Sequence, residues 1–312
     1  MEISDNIKLQ QKPLFQGQLK CHRCVECNGF GCPNMLPGLG GVMDGQNFQS
    51  NYAAWKKLAL QASEKTDLNN ISVSPKMLRC GPVTGAVENI GFANEKDFYF
   101  PYLNNAYNAG FGLCIGDGCP DEKLKYGIEA IKKVRETAAN NKLPEPNAAF
   151  FLKPYPDQKL EERIEWVKPF AQYVGIDIDS YNILTMRNLV NLERKTSEQL
   201  KLFRQKTQLP FVIKGVFTQQ DIELVKEVKP EVVYISNHGG RVETRLGSTA
   251  DFLQEHASEL KKYCSQIWVD GGIRNLTDIQ TALYYGANQV IMARPLIRAT
   301  FDNNYNAGLF TN

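Results

Sequence analysis

The chain has 312 residues, of which 43% are hydrophobic and 22% are charged. This balance is typical of a globular protein with one large or two small domains. Its 36 basic and 34 acidic residues give a net charge of +2, which argues against a nucleic-acid-binding or membrane-surface protein. The charged N-terminus and the lack of an apolar run of about 18 residues argue against a signal peptide or a transmembrane helix, so we expect a cytoplasmic protein. Eight cysteines are too few to indicate a disulfide scaffold.

The first 70 residues differ in composition from the rest, and we expect them to form an extension that packs on a domain over residues 71–312. They hold four of the eight cysteines, in the spacing C-x2-C-x2-C-x4-C. Two consecutive C-x2-C steps place three thiolates around one centre, as iron–sulfur and zinc sites require. The spacing therefore predicts a metal or cluster site formed by Cys21, Cys24, Cys27 and Cys32. The alternative is a set of reduced cysteines that pack a Gly-rich cap around residues 37–41.

Helical spacing of apolar residues predicts a helix over 51–64, with Tyr52, Trp55, Leu58 and Leu60 as its apolar positions. Beyond residue 71, short apolar runs alternate with amphipathic segments. The predicted strands cover residues 77–81, 112–115, 148–152, 173–178, 210–213, 231–235, 266–269 and 289–292. The predicted helices between them cover residues 123–139, 160–170, 197–206, 219–228, 249–262 and 277–285.

Strands that alternate with helices indicate βαβ units and a parallel sheet. Eight such units in about 240 residues predict a (β/α)8 TIM barrel, whose active site lies at the C-terminal ends of the strands. The alternative is an open doubly wound sheet. That fold usually carries a Gly-rich dinucleotide loop after its first strand, and the sequence has none there.

Polar residues follow the sixth strand in the stretch Ser236-Asn237-His238-Gly239-Gly240-Arg241. At a strand end, His238 can accept a proton and Arg241 can hold a carboxylate with its planar guanidinium. The alternative interpretation is a turn with a surface histidine and arginine.

The fourth and fifth strands also end in charged residues. Asp177 and Asp179 are two positions apart on a strand and therefore point to one face. A carboxylate near His238 would fix the tautomer of the imidazole. Lys214 follows three apolar residues, so a cation here can stabilise an electron-rich ring or an oxyanion. The alternative is that these acids and the lysines Lys153 and Lys214 only balance one another's charge.

The last two strands end in Asp270-Gly271-Gly272-Ile273-Arg274 and in Ala293-Arg294-Pro295. In many barrels, the loops after strands seven and eight bind a phosphate through backbone N–H groups. The two glycines permit close approach of the backbone, and the arginines supply positive charge. These loops predict a phosphate-binding site.

Together these residues resemble the FMN-dependent α-hydroxy acid oxidising family, which includes glycolate oxidase and lactate oxidase. The likeness is strongest over 210–295, and it reaches back more weakly through Ile178-Asp179, the segment 151–155 and the segment 82–86. It covers about three quarters of the chain. A short bacterial branch of the family also begins with a cysteine-rich segment.

The resemblance implies a role for each matching residue. His238 would be the catalytic base, Arg241 would hold the substrate carboxylate, and Asp179 would pair with the histidine. Lys214 would stabilise the reduced flavin, and Tyr155 would help bind the substrate. The implied FMN-binding residues are Pro82, Val83, Thr84, Lys153, Asp177, Lys214, Ser236, Asp270, Gly271, Gly272, Arg274, Ala293 and Arg294. The family also implies a homo-oligomer, a tetramer in its known members.

Four departures separate the chain from the family pattern. Ala293 stands where the family has glycine, Lys153 where many members have glutamine, and Asp177 where they have threonine. The N-terminal tyrosine that helps hold the substrate carboxylate has no counterpart that we can place. The two charged replacements would alter the flavin potential or the choice of substrate.

The resemblance predicts an FMN-dependent oxidoreductase that converts an L-2-hydroxy acid to the 2-keto acid. One alternative is another FMN barrel enzyme, with an isomerase-like or reductase-like reaction. The other alternative is a non-enzymatic redox or sensor protein that binds flavin or a cluster, in which an N-terminal cluster would pass electrons onward from the flavin.

Overall fold

The computed structural model describes residues 46–86, 94–183, 190–242, 244–301 and 310–311. It contains eight parallel strands: β1 (Leu78–Cys80), β2 (Leu113–Gly116), β3 (Ala148–Leu152), β4 (Tyr173–Asp177), β5 (Phe211–Val216), β6 (Val232–Ile235), β7 (Gln266–Val269) and β8 (Gln289–Met292). Each strand from β2 to β7 pairs with the next, and β1 pairs with β8. A bridge between Arg79 and Gly112 joins β1 to β2 and closes the ring. The predicted (β/α)8 barrel is confirmed.

Nine helices are described: α1 (Gln46–Ser63), α2 (Lys96–Asn108), α3 (Glu122–Asn140), α4 (Asp157–Val167), α5 (Ser197–Thr207), α6 (Gln219–Val228), α7 (Thr249–Leu260), α8 (Leu276–Tyr284) and α9 (Arg294–Phe301). Six of them were expected within a few residues of these bounds, and α1 begins five residues before the predicted start. Helices α2 and α9 have no counterpart in the sequence prediction. Helix α2 contains Pro101, and an internal proline normally argues against a helix.

The strands are buried on both faces, as their continuous apolar sequences predict. Inside the barrel, the rings of Phe151 and Tyr234 meet edge to face with centroids 5.3 Å apart. The guanidinium of Arg79 lies 4.1 Å from the ring centroid of Trp268 and is hydrogen-bonded to Gln289 and Asn147. The interior is therefore a packed core, and the open space of the fold is left at the strand ends.

Helix α1 packs against α8, α7 and the loop that follows β6. Trp55 and Leu58 are fully buried, but Leu60 is 65% exposed, so the expectation that Leu60 belongs to the apolar face is wrong. The buried stripe follows the positions 51, 54, 55, 58, 59 and 62, a helical spacing that position 60 does not share. The division of the chain at residue 70 stays a prediction.

Two predictions concern parts of the chain away from the barrel. Cys21, Cys24, Cys27 and Cys32 lie outside the described residues, so the metal or cluster site stays a prediction. Across the described ranges, none of the helices combines the length and the apolar character that a membrane crossing requires.

Candidate active site

The loop after β6 holds His238 in a conformation that the neighbouring residues make possible. His238 has φ of 53°, and Gly239 and Gly240 follow with φ of 64° and 91°. Two glycines after the histidine relieve the cost of a continued left-handed backbone. The Asn237 side chain accepts a hydrogen bond from the Gly240 N–H (2.9 Å), and the Ser236 hydroxyl accepts one from the His238 N–H (3.2 Å). The conformation of this loop thus places the imidazole at the barrel mouth, the side of the barrel where the C-terminal ends of the strands lie.

The imidazole of His238 lies between two carboxylates of β4 and its end. Nδ1 is 2.9 Å from Oδ2 of Asp179, and Nε2 is 2.9 Å from Oδ2 of Asp177. The predicted common face of the two acids is confirmed by these contacts. The Asp179 contact fixes the ring orientation, as the resemblance implied.

Two lysines complete the cluster around Asp177. Lys214 Nζ donates to Oδ1 of Asp177 (2.8 Å), and Lys153 Nζ donates to its Oδ2 (3.1 Å). Lys214 Nζ is also 3.3 Å from Nε2 of His238. Register places these groups together, because Asp177 and Lys214 are paired across β4 and β5. The charge-balancing alternative therefore describes Asp177 correctly as an ion-pair partner of both lysines.

Burial and charge shift the acidities of this cluster in opposite directions. Burial raises the pKa of Asp177, but the charges of His238, Lys214 and Lys153 outweigh burial and hold that pKa well below its usual range. Burial raises the pKa of Asp179, and the histidine only partly opposes that effect. Burial lowers the pKa of Lys214, but Asp177, Asp179 and Asp270 reverse the shift and raise it overall. Asp177 is therefore the firmly ionised carboxylate of the pair.

Asp177, Asp179 and His238 also bring three potential metal-ligand atoms within 4.8 Å of one another. Two lysine ammonium groups contact the same Asp177. A divalent cation at this position would be repelled by both, and it would have to displace them from their carboxylate. The charge pattern favours an organic ligand over a metal ion.

A second cluster, of three arginines, lies beside the histidine loop. Burial lowers the pKa of Arg241 to about 10. Burial, together with the charges of Arg274 and Arg241, lowers the pKa of Arg294 well below its usual value. Among the described residues, neither Arg241 nor Arg294 has a carboxylate within salt-bridge distance. Guanidinium groups brought together without a counter-ion form an anion site, and phosphates and carboxylates match their planar geometry.

Asp270 and its glycines add hydrogen-bonding capacity next to this anion site. Oδ2 of Asp270 accepts from the Tyr234 hydroxyl (2.8 Å) and from the Ser236 hydroxyl (3.0 Å). Oδ1 of Asp270 is buried and has no hydrogen-bond partner, although buried oxygens normally have one. Gly271 and Gly272 have φ of 96° and 79°. Together with the guanidinium groups of Arg241 and Arg294, this orphaned acceptor fits a ligand that carries both hydroxyls and a phosphate, as the ribityl phosphate of FMN does.

The remaining predicted residues lie around the same mouth. Pro82, Val83 and Thr84 follow β1 and are all partly exposed. The Thr84 hydroxyl is 3.4 Å from the carbonyl oxygen of Asp117. Ala293 faces Gly81 so closely that a Cβ on that glycine would lie 2.7 Å from the alanine Cβ. The extra methyl of Ala293 is thus directed at the end of β1.

Tyr155 is the predicted residue that the structure does not join to the His238 cluster. Its hydroxyl donates to the carbonyl of Gly118 (3.3 Å), and the guanidinium of Arg163 lies 4.4 Å from its ring centroid. The side chain is 1% exposed. Its role in substrate binding stays a prediction.

Two groups of contacts at the site were not predicted from the sequence. The first is made by polar groups on α1, including the indole N–H of Trp55, which was expected only as an apolar position. Asn47 donates to the carbonyls of Val242 (2.8 Å) and Arg245 (2.7 Å), Asn51 donates to Oδ1 of Asn237 (2.7 Å), and Trp55 Nε1 donates to the carbonyl of Gly271 (2.7 Å). Their spacing of four places them on one helix face, which was the signal available in the sequence.

The second missed group is centred on Asp117, directly after β2. Its carboxylate accepts from Arg163 (2.6 Å) and from the backbone N–H groups of Gly118 (2.7 Å) and Lys153 (3.1 Å). Burial raises the pKa of Asp117 to about 6, against the opposing charge of Arg163. An acid directly after a buried strand is the same signal that identified Asp177. Asp117 fixes the backbone from which Lys153 projects.

Comparisons with known proteins identify the family to which this barrel belongs. Residues 131–304 match the model of a family described as FMN-dependent dehydrogenase. The 2-hydroxyacid oxidase 2 of Rattus norvegicus is 34% identical over 98 residues, which are 31% of this chain and 28% of that protein. A 2-hydroxyacid oxidase of Dictyostelium discoideum is 36% identical over 102 residues, or 33% of this chain and 26% of that protein. The chain therefore aligns with little more than a quarter of these relatives.

Solved structures support the fold. A mandelate oxidase variant with (S)-mandelic acid superimposes with a TM-score of 0.62 at 16% identity, covering 97% of this chain and 88% of that chain. A mandelate oxidase with (S)-2-phenylpropionate gives a TM-score of 0.61 at 15% identity, covering 97% and 88%. The described barrel is the fold of these oxidases.

Proposed function

Because the chain belongs to the FMN-dependent dehydrogenase family, we propose that it uses FMN to oxidise an L-2-hydroxy acid to the 2-keto acid. His238 is the base in this proposal, and Arg241 binds the substrate carboxylate. The observation that carries it is an imidazole held by Asp179 on the same short loop as Arg241, which, like Arg294, has no carboxylate within salt-bridge distance in the described part of the chain. A base beside a carboxylate clamp is what a 2-hydroxy acid needs, since its hydroxyl and its carboxylate are one carbon apart.

The arginines and Asp270 are the groups that would hold FMN. Arg274 and Arg294 supply charge for its phosphate, and the orphaned Oδ1 of Asp270 supplies an acceptor for a ribityl hydroxyl. Lys214 and Lys153 offer cations at the barrel mouth, where they would lower the cost of negative charge on the reduced ring. The chemistry that FMN supplies when bound is the acceptance of two electrons from the substrate carbon.

The chain's own residues handle the substrate and its proton. Arg241 orients the carboxylate, so that the hydroxyl of the substrate lies toward His238. Oxidation turns the alcohol into a carbonyl, and the substrate loses two hydrogens with two electrons. Nε2 of His238 takes the hydroxyl hydrogen as a proton. Asp179, 2.9 Å from Nδ1, stabilises the imidazolium that results.

The test compares two histidine variants of the FMN-loaded protein under anaerobic conditions. We expect His238→Ala to retain the flavin absorption bands and to lose bleaching by L-2-hydroxy acids, because the flavin-holding groups are untouched. His256→Ala is the matched control, because His256 lies on α7 beside Glu255 and Glu259, outside the cluster. Full bleaching in His238→Ala would refute the role of this histidine as base.

Two further expectations are kept as proposals. Assembly into a homo-oligomer follows from the family resemblance, and light scattering of the purified protein measures it. A cytoplasmic location follows from the sequence, and cell fractionation measures it.

A further inference from the structure

Nε2 of His238, the atom that must take the substrate proton, already faces a carboxylate of the chain. Oδ2 of Asp177 lies 2.9 Å from it. A base can accept a proton only through a nitrogen lone pair that is free toward the substrate. In the protein alone, the position in front of Nε2 is therefore taken.

The Asp177 carboxylate is held firmly in that position. Its side chain is 6% exposed, and the ammonium groups of Lys214 and Lys153 bind its two oxygens at 2.8 and 3.1 Å. Turning this carboxylate away from the histidine would separate it from two buried cations, which is costly in a poorly solvated site. A substrate hydroxyl therefore has to compete with the Asp177 carboxylate for Nε2 of His238, because this carboxylate is not free to move away.

Two hydrogen-bonding states are compatible with the observed distances. With hydrogen on both ring nitrogens, Nδ1 donates to Asp179 and Nε2 donates to Asp177. With hydrogen on Nδ1 alone, Nε2 accepts from Lys214 Nζ, which is 3.3 Å away. The shorter contact is the one to Asp177, so the geometry favours the first state.

Resting on the proposed function, we propose that Asp177 is a positioning residue that competes with the substrate hydroxyl for Nε2 of His238 and thereby limits proton removal. In the step that it limits, the substrate O–H bond breaks and an Nε2–H bond forms. The substrate carbon also loses its hydrogen and two electrons, for which bound FMN would supply the acceptor. The Nε2–H hydrogen that already points at Asp177 has to leave before that step, so Asp177 makes oxidation slower than the rest of the site requires.

The charged groups that face His238 come from several strands, and all of them influence the hydrogen bonding of its ring nitrogens. They are Lys153 on the end of β3 through its contact with Asp177, Asp177 and Asp179 from β4, Lys214 from β5, and Asp270 from the end of β7. Only Asp177 and Lys214 lie at Nε2 itself. Removal of Asp177 is therefore the change that frees this nitrogen.

Two variants test the proposal. Asp177→Asn keeps the shape of the side chain and removes its charge. The double variant Lys153→Gln with Asp177→Thr removes one charge of each sign and introduces the two residue types that the family has at these positions. Because the net charge of the site stays the same, this variant is expected to fold even if Asp177→Asn does not. Asp121→Asn is the control, because Asp121 binds Arg163 and Lys159 and does not contact the histidine.

The first readout is the ¹⁵N NMR signal of His238 in the oxidised, FMN-loaded protein without substrate, assigned among three histidines with the His238→Gln variant. We expect the signal of Nε2 to report a hydrogen bond to Asp177 in the wild type and in Asp121→Asn. We expect that signal to change in either Asp177 variant under the same conditions. Identical His238 signals in the wild type and in both variants would overturn the proposal.

The second readout is the rate of anaerobic flavin bleaching as a function of pH. Hydrogen bonds to charged groups contribute about 1.5–3 kcal/mol, so we expect the double variant to bleach about 10- to 100-fold faster than the wild type at the same pH. The gain should appear in kcat with little change in KM. Equal bleaching rates in the wild type and the double variant would overturn the proposal. Loss of bleaching in every protein would instead count against the proposed function, while the NMR comparison still decides the role of Asp177.

Discussion

The side chain of Asn51 is predicted to fasten the histidine loop and the glycine loop to helix α1. It is 1% exposed, donates to Oδ1 of Asn237 (2.7 Å), and accepts from the backbone N–H of Thr249 (3.0 Å). A Cβ added at Gly271 would lie 3.0 Å from Nδ2 of Asn51, so this side chain also packs against the glycine loop. Replacement of Asn51 therefore acts on two loops of the candidate site at once.

The expected cost of Asn51→Ala follows from the groups that it leaves without partners. The Thr249 N–H and the Asn237 amide each lose a buried partner, and a buried group without a hydrogen bond costs about 1–3 kcal/mol. We expect the free energy of unfolding, measured in urea without FMN, to fall by about 2–4 kcal/mol. Because Asn237 precedes His238, and Gly271 belongs to the loop predicted to bind phosphate, we also expect FMN to bind about tenfold more weakly.

Lys57→Ala is the matched control on the same helix. Lys57 is largely exposed, and its ion pair with Asp251 is of the surface type that contributes about 0–1 kcal/mol. Parallel urea titrations, followed by a fluorescence titration with FMN, measure both effects. Unfolding free energies of Asn51→Ala and Lys57→Ala that agree within about 0.5 kcal/mol would refute the reasoning about α1.

Two further predictions concern charge. Arg294→Ala removes one of three crowded guanidinium groups, so we expect FMN to bind about 10- to 100-fold more weakly. We expect the FMN-free protein to become no less stable in urea. A loss of stability with unchanged FMN affinity would contradict this prediction. Burial raises the pKa of Asp278 to about 6 from 3.8. The stability from its protonated form is therefore complete below pH 4 and is lost as pH rises to 6. The unfolding free energy of the wild type relative to Asp278→Asn should fall across that range by up to about 3 kcal/mol, and a flat difference in urea titrations at each pH would refute it.

The barrel was predictable because its strands have a simple physical signature. The segments 148–152, 266–269 and 289–292 are short apolar runs, and the structure forms strands over those same residues. Strands that are buried on both faces need a continuous apolar sequence, so the ends of each apolar run mark the ends of the strand. Helix α2 gives no such signal, because its sequence KDFYFPYLNNAYN mixes aromatic residues, amides and a proline.

The chemistry of the site was predictable only in part. Residues at or just beyond the strand ends reach the mouth by topology alone, which is why the sequence could group His238 and Asp179 with Lys214 near the end of β5. The contact between Asp177 and His238 was not derivable, since it depends on side-chain positions across two strands. The burial of Asn47 and Asn51 was not predicted, because burial of an amide depends on partners nearly 200 positions away in the chain.

FMN binding and 2-hydroxy acid oxidation at the barrel mouth are tested most directly by an anaerobic titration of the FMN-loaded protein with a panel of L-2-hydroxy acids. The 2-keto acid is quantified beside the flavin spectrum. We expect at least one acid to bleach the flavin bands and one equivalent of keto acid to form for each flavin reduced. A protein that binds no FMN, or that holds FMN which no acid in the panel bleaches, would contradict it.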